Sequence, residues 1–443
     1  MRFLVFAAIS FLVSLCGLRQ AYGQAAAAAP NSLVTLDQAI RLAEANEPTY
    51  AASVAAKESA HLDSLNARAT LLPRVDFHAE GIYTQPSHST TPGTLANYFP
   101  RFIANNDVRE YLSQGTVNET LSLSQIGNVR KANAMALQAA AEQEIARRGL
   151  VAAVTSLYFG AVSAENRVSI ADQAHDEALD FLGVTQKREQ AREAAHADVV
   201  KAQLQEQQSQ RALDDAQLAR EKARLELGIL LYPDPRTPYQ LSNDSNVPIL
   251  ATRKEVELAA AKNNPQMKSA MAALDQSSAG VLAARGAYLP TIGFNYTYGI
   301  DAPQLAVYGP NNVRNAGYSA GVTVDLPVWD WLTTQHKVKQ SQIQRHVARV
   351  TLSSTQRQLI ANLDEAYSEA VTARKQLDSL DTSVVAAEDS LRLTRLRYNG
   401  GEATVLEVVD AQTTLVATEN AREDGRVRYR MALANLQTLT GTM

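Results

Sequence analysis

The feature that most constrains this chain is that it contains one stretch twice. Moving the first half forward by 217 positions sets Thr35 on Thr252, Asn46 and Pro48 on Asn263 and Pro265, Leu72-Pro73 on Leu289-Pro290, and Phe77 on Phe294. Farther along the shift is 209. There Tyr158 falls on Tyr367, Asp172 on Asp381, Arg188 on Arg397, Val199-Val200 on Val408-Val409 and Ala202-Gln203 on Ala411-Gln412. Neither register needs an internal gap. The eight-residue difference must lie between Phe77 and Tyr158. Its natural place is the Pro-, Asn- and Thr-rich stretch 86–107, against the shorter 303–315, because loops change length at little thermodynamic cost.

Each copy reads the same way. A helix is expected over 35–71 and again over 252–288, ended by Pro73 and Pro290, which lack the backbone donor a helix needs. Strict alternation follows: Ile292, Phe294, Tyr296, Tyr298 and Ile300 against Gly293, Asn295, Thr297, Gly299 and Asp301, then Tyr318, Ala320, Val322, Val324 and Leu326 against Ser319, Gly321, Thr323 and Asp325. Period two over ten residues predicts strands. The first copy shows it over Val75 to Glu80, with a return strand near 111–123. Long helical patterns then cover 127–192 and 333–398, and helices return over 197–231 and 404–440. Some 65 helical residues extend about 100 Å, more than a globular core requires. The Pro-rich segment 232–248 between the copies is expected to be irregular.

The N-terminus is expected to be removed. Arg2, the apolar run Phe3 to Leu18 and the small-x-small site Ala21-Tyr22-Gly23 have the layout of a secretory signal; a retained anchor is the alternative, for which the run is short. Residues 1–23 are therefore read as signal, 24–34 as a flexible Ala-rich leader, 35–231 as the first repeat, 232–251 as linker and 252–443 as the second repeat. The single cysteine, Cys16, leaves with the signal, which excludes disulfides and thiol chemistry from the mature chain. So do Arg2 and Arg19, two of the 42 basic residues, so the net charge moves from −4 to about −6. A mildly acidic chain without basic tracts is a poor nucleic-acid binder. Past the signal no apolar stretch suggests a transmembrane helix.

The alternating strands have one apolar, aromatic face and one polar face, and the flanking helices are too long to fold back over them. A barrel wall fits, with Phe294, Tyr296, Tyr298, Val322 and Val324 toward lipid and polar residues toward water. Tyr288, Trp329 and Trp331 flank the strands where an interfacial aromatic girdle would lie. A soluble sandwich with a packed aromatic cluster is the alternative. Four strands cannot close a barrel, and open edges are not tolerated in lipid, so the barrel reading requires oligomerisation. Three copies would supply twelve strands.

The order helix, Leu-Pro, strand pair and long helix pair, given twice, resembles the TolC-like outer-membrane efflux family. The phrase Arg397-Tyr398-Asn399-Gly400-Gly401-Glu402-Ala403-Thr404-Val405-Leu406-Glu407 looks like that family's tip between its last two helices. Asn46-Glu47-Pro48, Asn263-Asn264-Pro265 and the Leu439-Thr440-Gly441 ending are similar too. The first copy departs from the pattern, with Ala191-Arg192 in place of Gly400-Gly401. The resemblance implies a mainly α fold with a small membrane β-barrel, a homotrimer, an outer-membrane location with a long periplasmic extension, and a periplasmic adaptor and inner-membrane transporter as partners. It also implies that Asp198, Glu407 and Asp410 line a narrow periplasmic entrance and that Tyr398 belongs to the bonds that close it. The family's basic partner position holds Ala403 here, and Arg397 or Arg192 could substitute. A coiled-coil periplasmic adaptor without a barrel shares the helices but not the paired hairpins. The seven histidines lack metal-ligand spacing and no nucleophile or phosphate-loop phrase occurs, so neither enzyme nor cofactor is expected.

Overall fold

A computed structural model describes residues 33–83, 109–242, 248–309 and 312–441. In chain order the elements are β1 (Leu33–Val34), α1 (Leu36–Asn46), α2 (Pro48–Ala69), β2 (Arg74–Tyr83), β3 (Arg109–Leu121), α3 (Leu123–Gln190), α4 (His196–Leu231), β4 (Gln240–Leu241), α5 (Arg253–Asn263), α6 (Pro265–Gly286), β5 (Thr291–Ala302), β6 (Ala316–Asp325), α7 (Thr333–Asn399) and α8 (Val405–Thr440). The expected signal, most of the leader and the whole loop 86–107 lie outside the described residues.

Two corrections concern the helices. Each helix expected over 35–71 and 252–288 is two helices, broken at Glu47 and at Asn264. Both residues precede proline and are extended, with ψ 116° and 122°. Proline's ring drives the preceding residue out of the α region, while proline itself sits well in the first helical turn. The first member of each pair starts from threonine: Gln38 accepts from the Thr35 N–H at 3.1 Å and Glu255 from the Thr252 N–H at 3.0 Å. The second correction is to the expectation that no later segment suits a membrane. α3 contains a stretch long and apolar enough to cross one. Its side chains Leu150, Val151, Val154, Tyr158 and Ala161 are instead buried against protein.

The described chain forms two compact units, each drawn from both halves of the sequence. One, here the tip unit, takes residues up to Glu47 with Val154–Val247 and Val384–Val427. Its linker is not simply irregular. β1 pairs with β4 in parallel, and the Tyr158 hydroxyl lies 3.0 Å from the Val34 carbonyl and 2.8 Å from that of Ser242. Tyr239 donates to the Arg224 carbonyl at 2.7 Å, and burial pushes its phenol up to about 12.

The other, the sheet unit, takes Pro48–Ala153, Pro248–Ser383 and the chain from Arg428 onward. One of its cores gathers Val256, Ala260, Leu363, Ala370, Ala432 and Leu436. Arg148 of α3 is buried in the same unit, donating to the Thr438 carbonyl at 2.8 Å and the Asn263 carbonyl at 3.3 Å, where helix-end carbonyls favour a cation. The unit also carries an antiparallel sheet of order β2-β3-β5-β6. Cross-strand partners share a face, so Val75, Val117, Tyr296 and Ala320 form one row and Phe77, Gly115, Tyr298 and Tyr318 the next. Between them, on the other face, lie Asp76, Thr116, Thr297 and Ser319.

Candidate functional site

Two regions carry the sequence-derived candidates. The first is the sheet. Its register puts Phe294, Tyr296 and Tyr298 of β5 on one face with Val322 and Val324 of β6 and with Phe77 of β2, and all six are exposed. Asn295, Thr297 and Thr323 share the opposite face. A charged residue interrupts the apolar face: Glu119 falls in the row of Phe294 and Val322. Tyr288 follows α6 and is exposed, and Trp329 and Trp331 lie beyond β6 with their rings edge-on at 5.8 Å.

The second region comprises the α3–α4 and α7–α8 tips of the tip unit. α7 ends with Gly401 at φ 80°, the Glu402 N–H bonding back to the Arg397 carbonyl at 2.8 Å. This is the left-handed helix stop that glycine favours. α8 then starts on a capping box. The Glu407 carboxylate accepts from the Thr404 N–H at 3.1 Å and from its hydroxyl at 3.2 Å, and the Thr404 hydroxyl accepts from the Glu407 N–H at 3.3 Å. Those Thr404 bonds, with Arg397 close by, hold the Glu407 carboxyl below its ordinary range. The Arg397–Glu407 pair spans 3.4 Å.

At the α3–α4 tip Arg192 takes the left-handed place at φ 63°, and the Glu193 N–H bonds to the Arg188 carbonyl at 2.8 Å. The backbone path is therefore the same despite the absence of glycine. α4 starts at Ala195 with no side-chain cap, while His196 and Glu189 pair at 2.8 Å.

Between the tips lies a packed cluster of Phe181, Ala202, Leu391, Tyr398, Val405, Val408 and Ala411. Tyr398 is 5% exposed. Its ring meets Phe181 edge-on at 5.1 Å, and its hydroxyl is 3.4 Å from that of Thr185. Arg188 stacks on this ring at 4.8 Å, donates to the Tyr398 carbonyl and lies 3.6 Å from the Glu193 carboxylate. Of the two arginines considered from sequence, neither is the one on Tyr398. Arg397 pairs with Glu407, and Arg192 forms the turn. Sequence reasoning missed Arg188 in this role, although the 209 register had set it opposite Arg397. Asp198 and Asp410 make no side-chain hydrogen bond or ion pair among the described residues. No group of His, Cys, Asp or Glu among those residues is placed to hold a metal ion.

Long helices, a small amphipathic sheet and hairpin tips set the class of fold, and comparison with known proteins gives the family. The model of the outer membrane efflux protein family matches residues 39–231 and 258–442, and the chain belongs to that family. It is 23% identical to the outer membrane protein TolC of Escherichia coli over 208 residues, which span 45% of this chain and 41% of that protein. It is 22% identical to the alkaline protease secretion protein AprF of Pseudomonas aeruginosa, over 91% of this chain and 83% of that one. Its fold is similar to the open state of the Neisseria gonorrhoeae MtrE outer membrane channel, with a TM-score of 0.74 and 20% identity over 92% of this chain and 88% of that one. The channel reading is thereby supported over the adaptor reading.

Proposed function

We propose that this chain is the outer-membrane exit duct of a tripartite efflux or type I secretion system. It is a passive channel joined through a periplasmic adaptor to an inner-membrane transporter, with its helices in the periplasm. The observation that carries this reading is the four-stranded sheet. One face is exposed, apolar and aromatic, and the outer edges of β2 and β6 have no strand partner among the described residues. Unpaired backbone in lipid costs several kcal/mol per group, so the edges must close on other copies. Three chains, each built of two helix–hairpin–helix repeats (35–231 and 252–443), complete a twelve-stranded barrel. Phe294, Tyr296, Tyr298, Val322 and Val324 then meet lipid, and Tyr288, Trp329 and Trp331 its boundary.

At the α3–α4 and α7–α8 tips Asp198 and Asp410 are free to line the entrance. Glu407 contributes less, because its carboxylate caps α8 and pairs with Arg397. Like charges gathered around one axis attract cations. Reconstitution into planar bilayers tests both statements. The conducting species should have the mass of three chains, and Asp198→Ala with Asp410→Ala should lower its cation preference. A stable detergent-extracted monomer sinks the barrel. An unchanged preference in the double variant removes these carboxylates from the entrance.

A further inference from the structure

The two strand-to-helix junctions of the sheet unit are built differently. β3 passes into α3 through one residue, Ser122. β6 ends at Asp325 and α7 starts at Thr333. Leu326, Val328, Trp329, Trp331 and Leu332 lie between them, all exposed. β3 pairs with β2 as far as Asn118, opposite Arg74, and β6 with β5 as far as Asp325, opposite Thr291, the residue that Arg74 meets at the 217 shift. From those equivalent ends four residues lead to α3 and seven to α7, so the second junction is a longer, apolar connector outside the ladder. The connector is also strained. Trp331 and Leu332 have φ of 55° and 65°, a region disfavoured for any residue with a Cβ. Non-glycine residues held there concentrate at functional positions. The strain is pinned by the helix start, where the Thr334 N–H donates to the Asp330 carboxylate at 2.8 Å and the His336 N–H to the Leu332 carbonyl at 2.9 Å. As a result Trp329 is 69% and Trp331 81% exposed.

Charge follows the same asymmetry. Between Asp330 and Asp364 there is no acidic residue, and Lys337, Lys339, Arg345, Arg349 and Arg357 intervene. Lys337 and Lys339 are exposed, about 6 and 9 Å along α7 from its start. α3 has no charge before Arg130 and Lys131, and Glu142 and Glu144 follow.

We infer that residues 326–339 form an anchor for anionic phospholipid headgroups, with Trp329 and Trp331 in the interfacial layer and Lys337 and Lys339 on the phosphates. This rests on the lipid-facing reading of the sheet. The occupant follows from continuity and charge. Leu326 and Val328 extend the period-two row of Val322 and Val324, so the connector continues the apolar face to its boundary. Indole rings favour that boundary, and lysines beside it attract anionic lipid.

The chain contains two tryptophans, both in the connector, so intrinsic fluorescence reads this site alone. The full-length protein is reconstituted in phosphatidylcholine vesicles containing a minor fraction of phosphatidylglycerol, with bromine on one lipid or the other. Both lipids should quench. Brominated phosphatidylglycerol should quench severalfold more per mole, since a lysine at an anionic surface enriches it by about fivefold. Lys337→Glu with Lys339→Glu should abolish that preference and keep quenching by phosphatidylcholine. Equal quenching per mole in the parent, or an unchanged preference in the double variant, overturns the anionic site. Unquenched tryptophan in protein that has inserted overturns the anchor and leaves the duct standing; failure to insert at all overturns both.

Discussion

At the α7–α8 tip the chain turns through Gly401 and starts its next helix on Thr404, with Glu407 closing the capping box. At the α3–α4 tip the same turn runs through Arg192, and the next helix starts on Ala195 with no side-chain cap. One tip is made from residues whose backbone and short side chains suit a turn. The other lacks both and is tied by longer side chains, Arg188 to Glu193 at 3.6 Å and His196 to Glu189 at 2.8 Å. The equivalent arginines have diverged accordingly. Arg397 stays within its own tip, on Glu407. Arg188 crosses to the other hairpin and closes the carbonyl end of α7 at Tyr398. The two tips thus share a backbone path on different supports.

The sharpest way to break this comparison is to truncate the two arginines in turn. Arg188→Ala removes a charged hydrogen bond to the Tyr398 carbonyl and a cation–π contact on a buried ring. A loss of about 2–3 kcal/mol is expected from those two contacts. Arg397→Ala removes an exposed pair and should cost under about 1 kcal/mol. Hydrogen exchange of the amides of 396–408 in the intact protein measures both, since each 1.4 kcal/mol is about tenfold in protection. Equal losses would mean that the arginines have not specialised.

A smaller effect comes from the turn residues. Gly401→Ala should cost about 1–2 kcal/mol through φ alone. A Cβ there meets nothing nearer than Arg188 Nη2 at 3.9 Å. Arg192→Gly should stabilise its tip by less, about 0.5 kcal/mol, because glycine also loosens the unfolded chain. If Arg192→Gly destabilises the tip, the Arg192 side chain makes a contact that outweighs its backbone strain.

Much of this architecture was legible in the sequence, because long helices and alternating strands write their periods directly. β5 and β6 were read to within a residue or so at each end, since their shared face is almost wholly apolar. β3 was harder. The residues it places on that face include Ser113, Gly115 and Glu119, so its alternation is weak, and it runs over 109–121. The breaks at Glu47 and Asn264 were hidden because a proline in the first turn leaves the helical pattern intact. β1 and β4 are two residues each, below any periodic signal. At the tips, Tyr398 and the acidic residues were visible as a phrase. Arg188 was not, because its partner is a backbone carbonyl 210 positions away, which no residue pattern records.

The finest test of the two tips is their response to acid. The Thr404 N–H and hydroxyl hold the Glu407 carboxyl below its ordinary value of 4.5. A carboxyl depressed on folding contributes stability that is fully present above its unfolded value. That contribution is lost as pH falls through the lower folded value. Protection of the amides of 404–408, corrected for intrinsic exchange, should therefore be level above about pH 5 and decline below about pH 4. Thr404→Ala should lower the plateau by about 1 kcal/mol and flatten the decline, because the carboxylate then has no cap to serve. The α4 start begins from Ala195, which has no side-chain cap and no hydroxyl to serve as Thr404 does. Ala195→Thr supplies the missing hydroxyl and should create a step there. A step at the α4 start in the parent protein would show that Asp198 caps its helix without threonine, and the two tips would then differ less than their residues imply.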